Sequence, residues 1–124
     1  MSRLHHVALG ARNVAAVAAF YRDLLGLGEI RRQAGEGGEL RSIWLDLGGA
    51  ILMIEHADEP SRPVDGVSAG PFLIALRVTP GERRALEAEL DRHGHAVESR
   101  TRYSSYLRDP EGNRVAISHY PEEP

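Results

Sequence analysis

The chain states one pattern twice. "HVAL" (His6–Leu9) overlays "LIAL" (Leu73–Leu76) at a shift of 73 − 6 = 67, and "GAILMIEH" (Gly49–His56) overlays "GNRVAISH" (Gly112–His119) at 112 − 49 = 63. Around these anchors the hydrophobic pattern runs strand, helix, then three strands, in both halves. The first half predicts a strand at about Arg3–Gly10 and a helix at about Val14–Leu25, with Asn13 as N-cap and Gly26 and Gly28 as the stop. Strands follow at about Glu29–Gln33, Leu40–Leu47 and Ala50–His56, the last two joined by Gly48-Gly49. After a Pro/Gly-rich linker, about 57–71, the order restarts with a strand at Phe72–Val78. "TPGE" then places Thr79 as N-cap, Pro80 at the first helical position and Glu82 as the capping-box acid, with Leu86 and Leu90 as the apolar stripe and Gly94 as the end. The last strands fall at about His95–Arg100, Tyr103–Arg108 and Arg114–Tyr120, with "DPEGN" (Asp109–Asn113) as a hairpin turn.

A half of this size cannot by itself bury both a helix and a sheet face. The predicted fold is therefore α+β: two tandem β-α-β-β-β modules in a single domain of residues 1–124, forming a curved mixed sheet with helices on its outer face and a concave pocket inside.

Composition narrows the chemistry. Fifteen basic residues against eighteen acidic ones give 15 − 18 = −3, scattered rather than in blocks, so nucleic acid and anionic membrane are poor partners. The apolar runs are far shorter than a membrane span and the N-terminus lacks a signal-peptide pattern, which leads to the expectation of a cytoplasmic protein. There is no cysteine, which removes thiolate nucleophiles, disulfides and Cys-based metal sites. Every basic residue is arginine, so no lysine is present to form a Schiff base. Histidine, carboxylates, hydroxyls, arginine or a metal remain.

"HVAL" at His6–Leu9, "FYRDLLGL" at Phe20–Leu27 and "YLRDPEGNRVAI" at Tyr106–Ile117 together resemble the vicinal oxygen chelate superfamily. That group comprises glyoxalase I, extradiol dioxygenases, and fosfomycin and bleomycin resistance proteins, and the resemblance spans about Leu4 to Tyr120. Its metal-bearing members take a His from the first strand, and further ligands from the fourth, fifth and eighth. On this chain those places hold His6, Met53, Leu73 and Ala116. One imidazole does not make a site, since catalytic zinc needs about three protein ligands. No cofactor is expected, with a divalent metal kept open as an alternative. A one-pair slip of the fourth strand would bring Glu55 towards His6, still two ligands only.

The remaining candidates each have a plain structural reading. His6 is a pocket-lining residue before it is a proton-transfer group, and Glu55 is a rim charge before it is a base. Adjacent strand residues face opposite ways, which assigns His5 to packing or an interface. His56 and His119 correspond across the repeat, as do Glu55 and Ser118. Alternation places Trp44 inside the concavity, where packing competes with stacking on a ligand. Tyr103, Tyr106 and Arg108 approach the pocket from the seventh strand, Arg108 as a clamp for a carboxylate or phosphonate.

Three readings follow. The first is a metal-independent small-molecule-binding protein resembling the bleomycin resistance type, with His6, Trp44, Met53, Leu73, Tyr103, Tyr106, Arg108 and Ala116 around an aromatic or amphipathic ligand. The second is a metal-free enzyme using His6 or Glu55 for proton transfer. The third is a metal-dependent lyase, isomerase or dioxygenase of the glyoxalase type. The resemblance also implies a homodimer.

Overall fold

The computed structural model describes residues 1–124. The element order is β1 (His6–Ala11), α1 (Val14–Ala19), β2 (Glu29–Ala34), β3 (Leu40–Asp46), β4 (Ile51–His56), β5 (Ile74–Arg77), α2 (Pro80–Arg92), β6 (Ser99–Arg100), β7 (Ser104–Arg108) and β8 (Arg114–Ser118). The predicted α+β class and doubled β-α-β-β-β order hold. The strands hydrogen-bond as two four-stranded sheets, β1-β4-β3-β2 and β5-β8-β7-β6, within compact units of residues 1–61 and 62–124. In each sheet the first pair is parallel and the other two antiparallel. The boundary between units falls inside the predicted linker.

Register confirms the repeat in detail. Val7 pairs with Leu52 in the first unit and Ile74 with Val115 in the second, so both shifts, 74 − 7 = 67 and 115 − 52 = 63, hold at once. Trp44 pairs with Met53, and Tyr106 with Ala116, which makes the two aromatic residues structural counterparts.

In the first unit Asn13 caps α1 as expected, its Oδ1 accepting from the Ala16 N–H at 3.0 Å. The predicted helix stops being α-helical at Ala19 and continues as a π-helical turn over Phe20–Leu24, closed by Leu25 N–H donating to Phe20 O. The extra residue in that turn rotates the helix so that Phe20 and Tyr21, adjacent in sequence, are both buried. Gly26, at φ +80°, then lets Leu27 N–H reach back to Tyr21 O. Val14, Val17, Ala18, Phe20 and Tyr21 join Ile43, Leu45, Leu52 and Ile54, all 4% exposed or less, in the core on one face of the sheet.

The second unit has a thinner apolar core, chiefly Leu90, Leu107, Val115 and Ile117. Its helix carries the predicted capping box, Thr79 Oγ1 accepting from Glu82 N–H and Glu82 Oε1 from Thr79 N–H. Polar groups complete the helix–sheet contact. Ser105, fully buried, accepts from Arg83 Nε at 2.8 Å and donates to Glu87 Oε2 at 3.0 Å, while Glu87 also holds Arg100.

Several boundaries differ from expectation. β1 begins at His6, β5 at Ile74 and β7 at Ser104, so His5, Leu73 and Tyr103 lie just outside their strands. The predicted strand His95–Arg100 pairs only at Ser99 and Arg100, because the Schellman-type closure of α2 draws His95 N–H to Leu90 O and delays the ladder.

The "DPEGN" turn is built around one carboxylate. Asp109 Oδ1 accepts from the N–H groups of Glu111 and Asn113, and Oδ2 from Asn113 Nδ2, all between 2.8 and 2.9 Å. Asp109→Ala is expected to cost about 1–3 kcal/mol, the penalty of stranding part-buried donors. Urea denaturation checks this, and a loss below about 0.5 kcal/mol would show that water replaces the carboxylate freely.

Candidate functional site

Each sheet has one face against its helix and one open face, and strand alternation fixes which side chains occupy each. In the first unit Val7, Leu9, Ile43, Leu45, Leu52 and Ile54 share the helix face. His6, Ala8, Trp44, Met53 and Glu55 take the open one. One cross-strand row there reads Ala8–Met53–Trp44–Arg31. Its counterpart in the second unit reads Ala75–Ala116–Tyr106–Ser99.

Glu55 reaches the open face without any slip of β4, but it does not meet His6. His6 pairs with Ile51 and Glu55 with Gly10, four residues along the strand, which is about 13 Å at roughly 3.3 Å per residue. The two cannot share a proton or an ion. No slip of β4 occurs, because Leu52 and Ile54 already fill the helix face in this register.

His5 is the clearest correction among the histidines. Preceding the strand, it escapes alternation, and its Nδ1 lies 2.9 Å from Nδ1 of His6, the rings edge-on at 5.1 Å. One imidazole donates and the other accepts in this pair. His119, by contrast, is structural. Arg83 Nη1 can only donate to its Nε2, at 3.0 Å, and Glu122 O can only accept from its Nδ1, at 2.6 Å, which assigns the neutral Nδ1–H tautomer. His56 contacts Asp58 at the surface.

Trp44 is half-buried, with the Arg31 guanidinium 5.4 Å from its ring centre. Its Nε1–H is buried and has no hydrogen-bond partner. Tyr106 carries Arg114 over its ring at 4.7 Å. Met53 and Leu73 are half-buried and Ala116 is buried.

Two of the expected pocket residues are engaged within the protein. The Tyr103 hydroxyl donates to Glu123 Oε1 at 2.8 Å, and that carboxylate holds its pKa above the usual phenol value. Arg108 donates to Glu98 Oε1 and to the carbonyls of Val64 and Gly112, with Asp65 beside it, so the guanidinium expected to clamp a ligand instead ties residues 64–65 to the β7–β8 hairpin. Ser118 accepts from Ser104 Oγ at 2.8 Å.

Two surface crevices lie on the first unit. One of about 420 Å³ has Leu4, His5, Ile30, Asp46 and Ile51 among its walls, and one of about 550 Å³ lies against Arg31, Arg32, Gln33 and Arg41. Neither is lined by Met53, Trp44 or Glu55. Nearby, Glu29 is held by Arg32 and Arg22, and its carboxyl is pulled down to about 2, first by the Arg32 hydrogen bond.

A family model described as the Glyoxalase/Bleomycin resistance protein/Dioxygenase superfamily matches residues 3–117. Among solved structures, a glyoxalase/dioxygenase from Nostoc punctiforme is similar with TM-score 0.78 and 22% identity, covering 97% of this chain and 92% of that one. Lactoylglutathione lyase from Agrobacterium tumefaciens gives 0.71 and 23%, over 97% and 95%. A mutant of the fosfomycin resistance protein FosX from Listeria monocytogenes, solved with Mn(II) and a dihydroxypropylphosphonic acid, gives 0.79 and 16%, over 95% and 92%. No curated protein matches the sequence. No helix is long and apolar enough to cross a membrane.

The residues present do not fit a resident metal of the kind that the resemblance implies. Of the four places that the resemblance assigns to ligands only His6 carries one, the side chains of Met53, Leu73 and Ala116 having no nitrogen or oxygen, and no group of three or more His, Cys, Asp or Glu side chains is placed to hold an ion.

Proposed function

The chain belongs to the Glyoxalase/Bleomycin resistance protein/Dioxygenase superfamily, and on that premise we propose that it is a metal-independent small-molecule-binding protein. Its ligand is planar and amphipathic and is held by stacking and burial rather than by coordination. One observation carries the reading: on the open faces, the counterpart positions Met53 and Ala116 are non-ligating, and each pairs directly with a large aromatic residue, Trp44 or Tyr106. An aromatic ring beside a soft or small side chain favours a flat apolar ligand. The unpaired Nε1–H of Trp44 supports a polar end on that ligand, since an unmet buried donor is stabilised by an incoming acceptor.

The experiment is a panel of aromatic compounds and small hydrophilic dicarbonyls, read by fluorescence of Trp44, the sole tryptophan, with and without added divalent metal. Aromatic compounds are expected to bind equally well in both conditions. Metal-dependent binding of the dicarbonyls alone would overturn the reading.

A second reading has its own support. The Nδ1–Nδ1 contact of His5 and His6 holds one proton between two rings, an arrangement suited to proton transfer next to a carbonyl. Under it, His6→Gln abolishes turnover while leaving ligand affinity within about threefold.

A further inference from the structure

The open face of the second unit has an uneven charge. Strands β5, β7 and β8 contribute Arg77, Arg108 and Arg114 and no carboxylate. Arg108 and Arg114 are directly opposed across the β7–β8 ladder, a like-charge pair that costs stability. Glu98 and Asp65 compensate Arg108. Arg114 lies over the Tyr106 ring and forms no ion pair, and no acceptor takes a side-chain hydrogen bond from it or from Arg77. A cation–π contact holds a guanidinium in place without using its N–H donors. Beside this pair lies a floor of Ala75 and Ala116, and the Ser104–Ser118 hydroxyls close the other end of the ladder.

We propose that this face is an anion-recognition surface, with the Arg114 fork, supported by Tyr106, receiving the carboxylate of a planar aromatic acid. The inference rests on the small-molecule reading above and gives the ligand taken by the second unit's face a negative charge. A carboxylate fits better than a neutral amide because arginine donates two parallel hydrogen bonds to two acceptor oxygens, and an amide presents one. It also relieves the Arg108–Arg114 opposition, which a neutral ligand does not.

The test is calorimetric titration of the full chain with naphthoate and with naphthamide, which share a ring system and differ in charge. Naphthoate is expected to bind about tenfold more tightly, the order of a charge-assisted over a neutral hydrogen bond. Arg114→Gln should remove most of that preference and Arg77→Gln, at a position that pairs with Ser118 at the other end of β8, should leave it within about twofold, with naphthamide affinity held within about twofold in both, which also shows that the variants fold. Equal affinity of the native protein for the two compounds overturns the inference and leaves the small-molecule reading standing. So does a preference that survives Arg114→Gln, or one that disappears instead in Arg31→Gln, which would move the anion to the first unit. Binding of neither compound overturns the inference together with the reading beneath it.

Discussion

Replacing Arg83 with methionine is expected to destabilise the protein by about 2–4 kcal/mol, a loss of core-cavity size from a charged residue. Arg83 sits on the inner face of α2 with its side chain only 11% exposed. Its guanidinium donates to Ser105 Oγ, to the carbonyls of Thr101, Arg102 and Ser104, and to His119 Nε2, at 2.8 to 3.0 Å. Methionine restores most of the volume and none of the donors. It therefore strands the part-buried Ser104 carbonyl and Ser105 hydroxyl, releases the exposed Thr101 and Arg102 carbonyls to water, and leaves Glu87, 3.9 Å away, with one cation fewer. These contacts act as a unit and their costs do not add, which keeps the estimate well below the sum. Arg83→Lys should fall between, since one ammonium with three donors cannot span five acceptors. Thermal and urea denaturation followed by circular dichroism decide the matter, and a methionine variant within about 0.5 kcal/mol of the native protein would show that the network contributes little.

Trp44→Ala is expected to weaken binding of an aromatic ligand by about 1–3 kcal/mol, the range for removing a large stacking ring from a binding surface. Trp44→Phe should recover most of that loss if the ring face matters, and little of it if the Nε1–H does. Because the substitution removes the only tryptophan, the affinity is read by calorimetry. Met53→Leu keeps the apolar surface beside the ring and should leave affinity within about threefold. An alanine variant that binds as tightly as the native protein would move the ligand off this face.

Much of the fold was legible because the repeat, the capping signals and the strand alternation are local. Asn13 and the Thr79–Glu82 box capped their helices as read, and two short overlays predicted a register that pairing then reproduced. Alternation also put Trp44, Met53 and His6 on one face correctly. It failed where a residue lies one step outside its strand. His5 was assigned to the opposite face and instead contacts His6, and Tyr103 turned to Glu123. The distance between His6 and Glu55 depended on a long-range parallel register that neither segment encodes alone. The π-helical turn had no marker beyond two large adjacent aromatic residues, Phe20 and Tyr21, that both needed burial.

The Arg83 network has a partial signature in the sequence. Leu86 and Leu90 form the apolar stripe of α2, and residues 83 and 87 fall on that same face at helical spacing. A charged pair in a core stripe marks either an error of register or a buried polar contact, and Ser105 opposite makes it the second. Arg108 shows the converse. As a cation at a strand end it invited a ligand, but its partners Val64 and Glu98 are remote in sequence.

The central claim is that this superfamily member holds a flat ligand without a metal ion. Its most direct test is to purify the protein without chelator, measure bound Zn, Ni, Mn, Fe and Co by mass spectrometry, and then titrate the same sample with naphthoate before and after exhaustive chelation. The account predicts metal far below one ion per chain and an affinity unchanged by chelation. About one ion per chain, lost together with ligand binding on chelation or in His6→Ala, would contradict it.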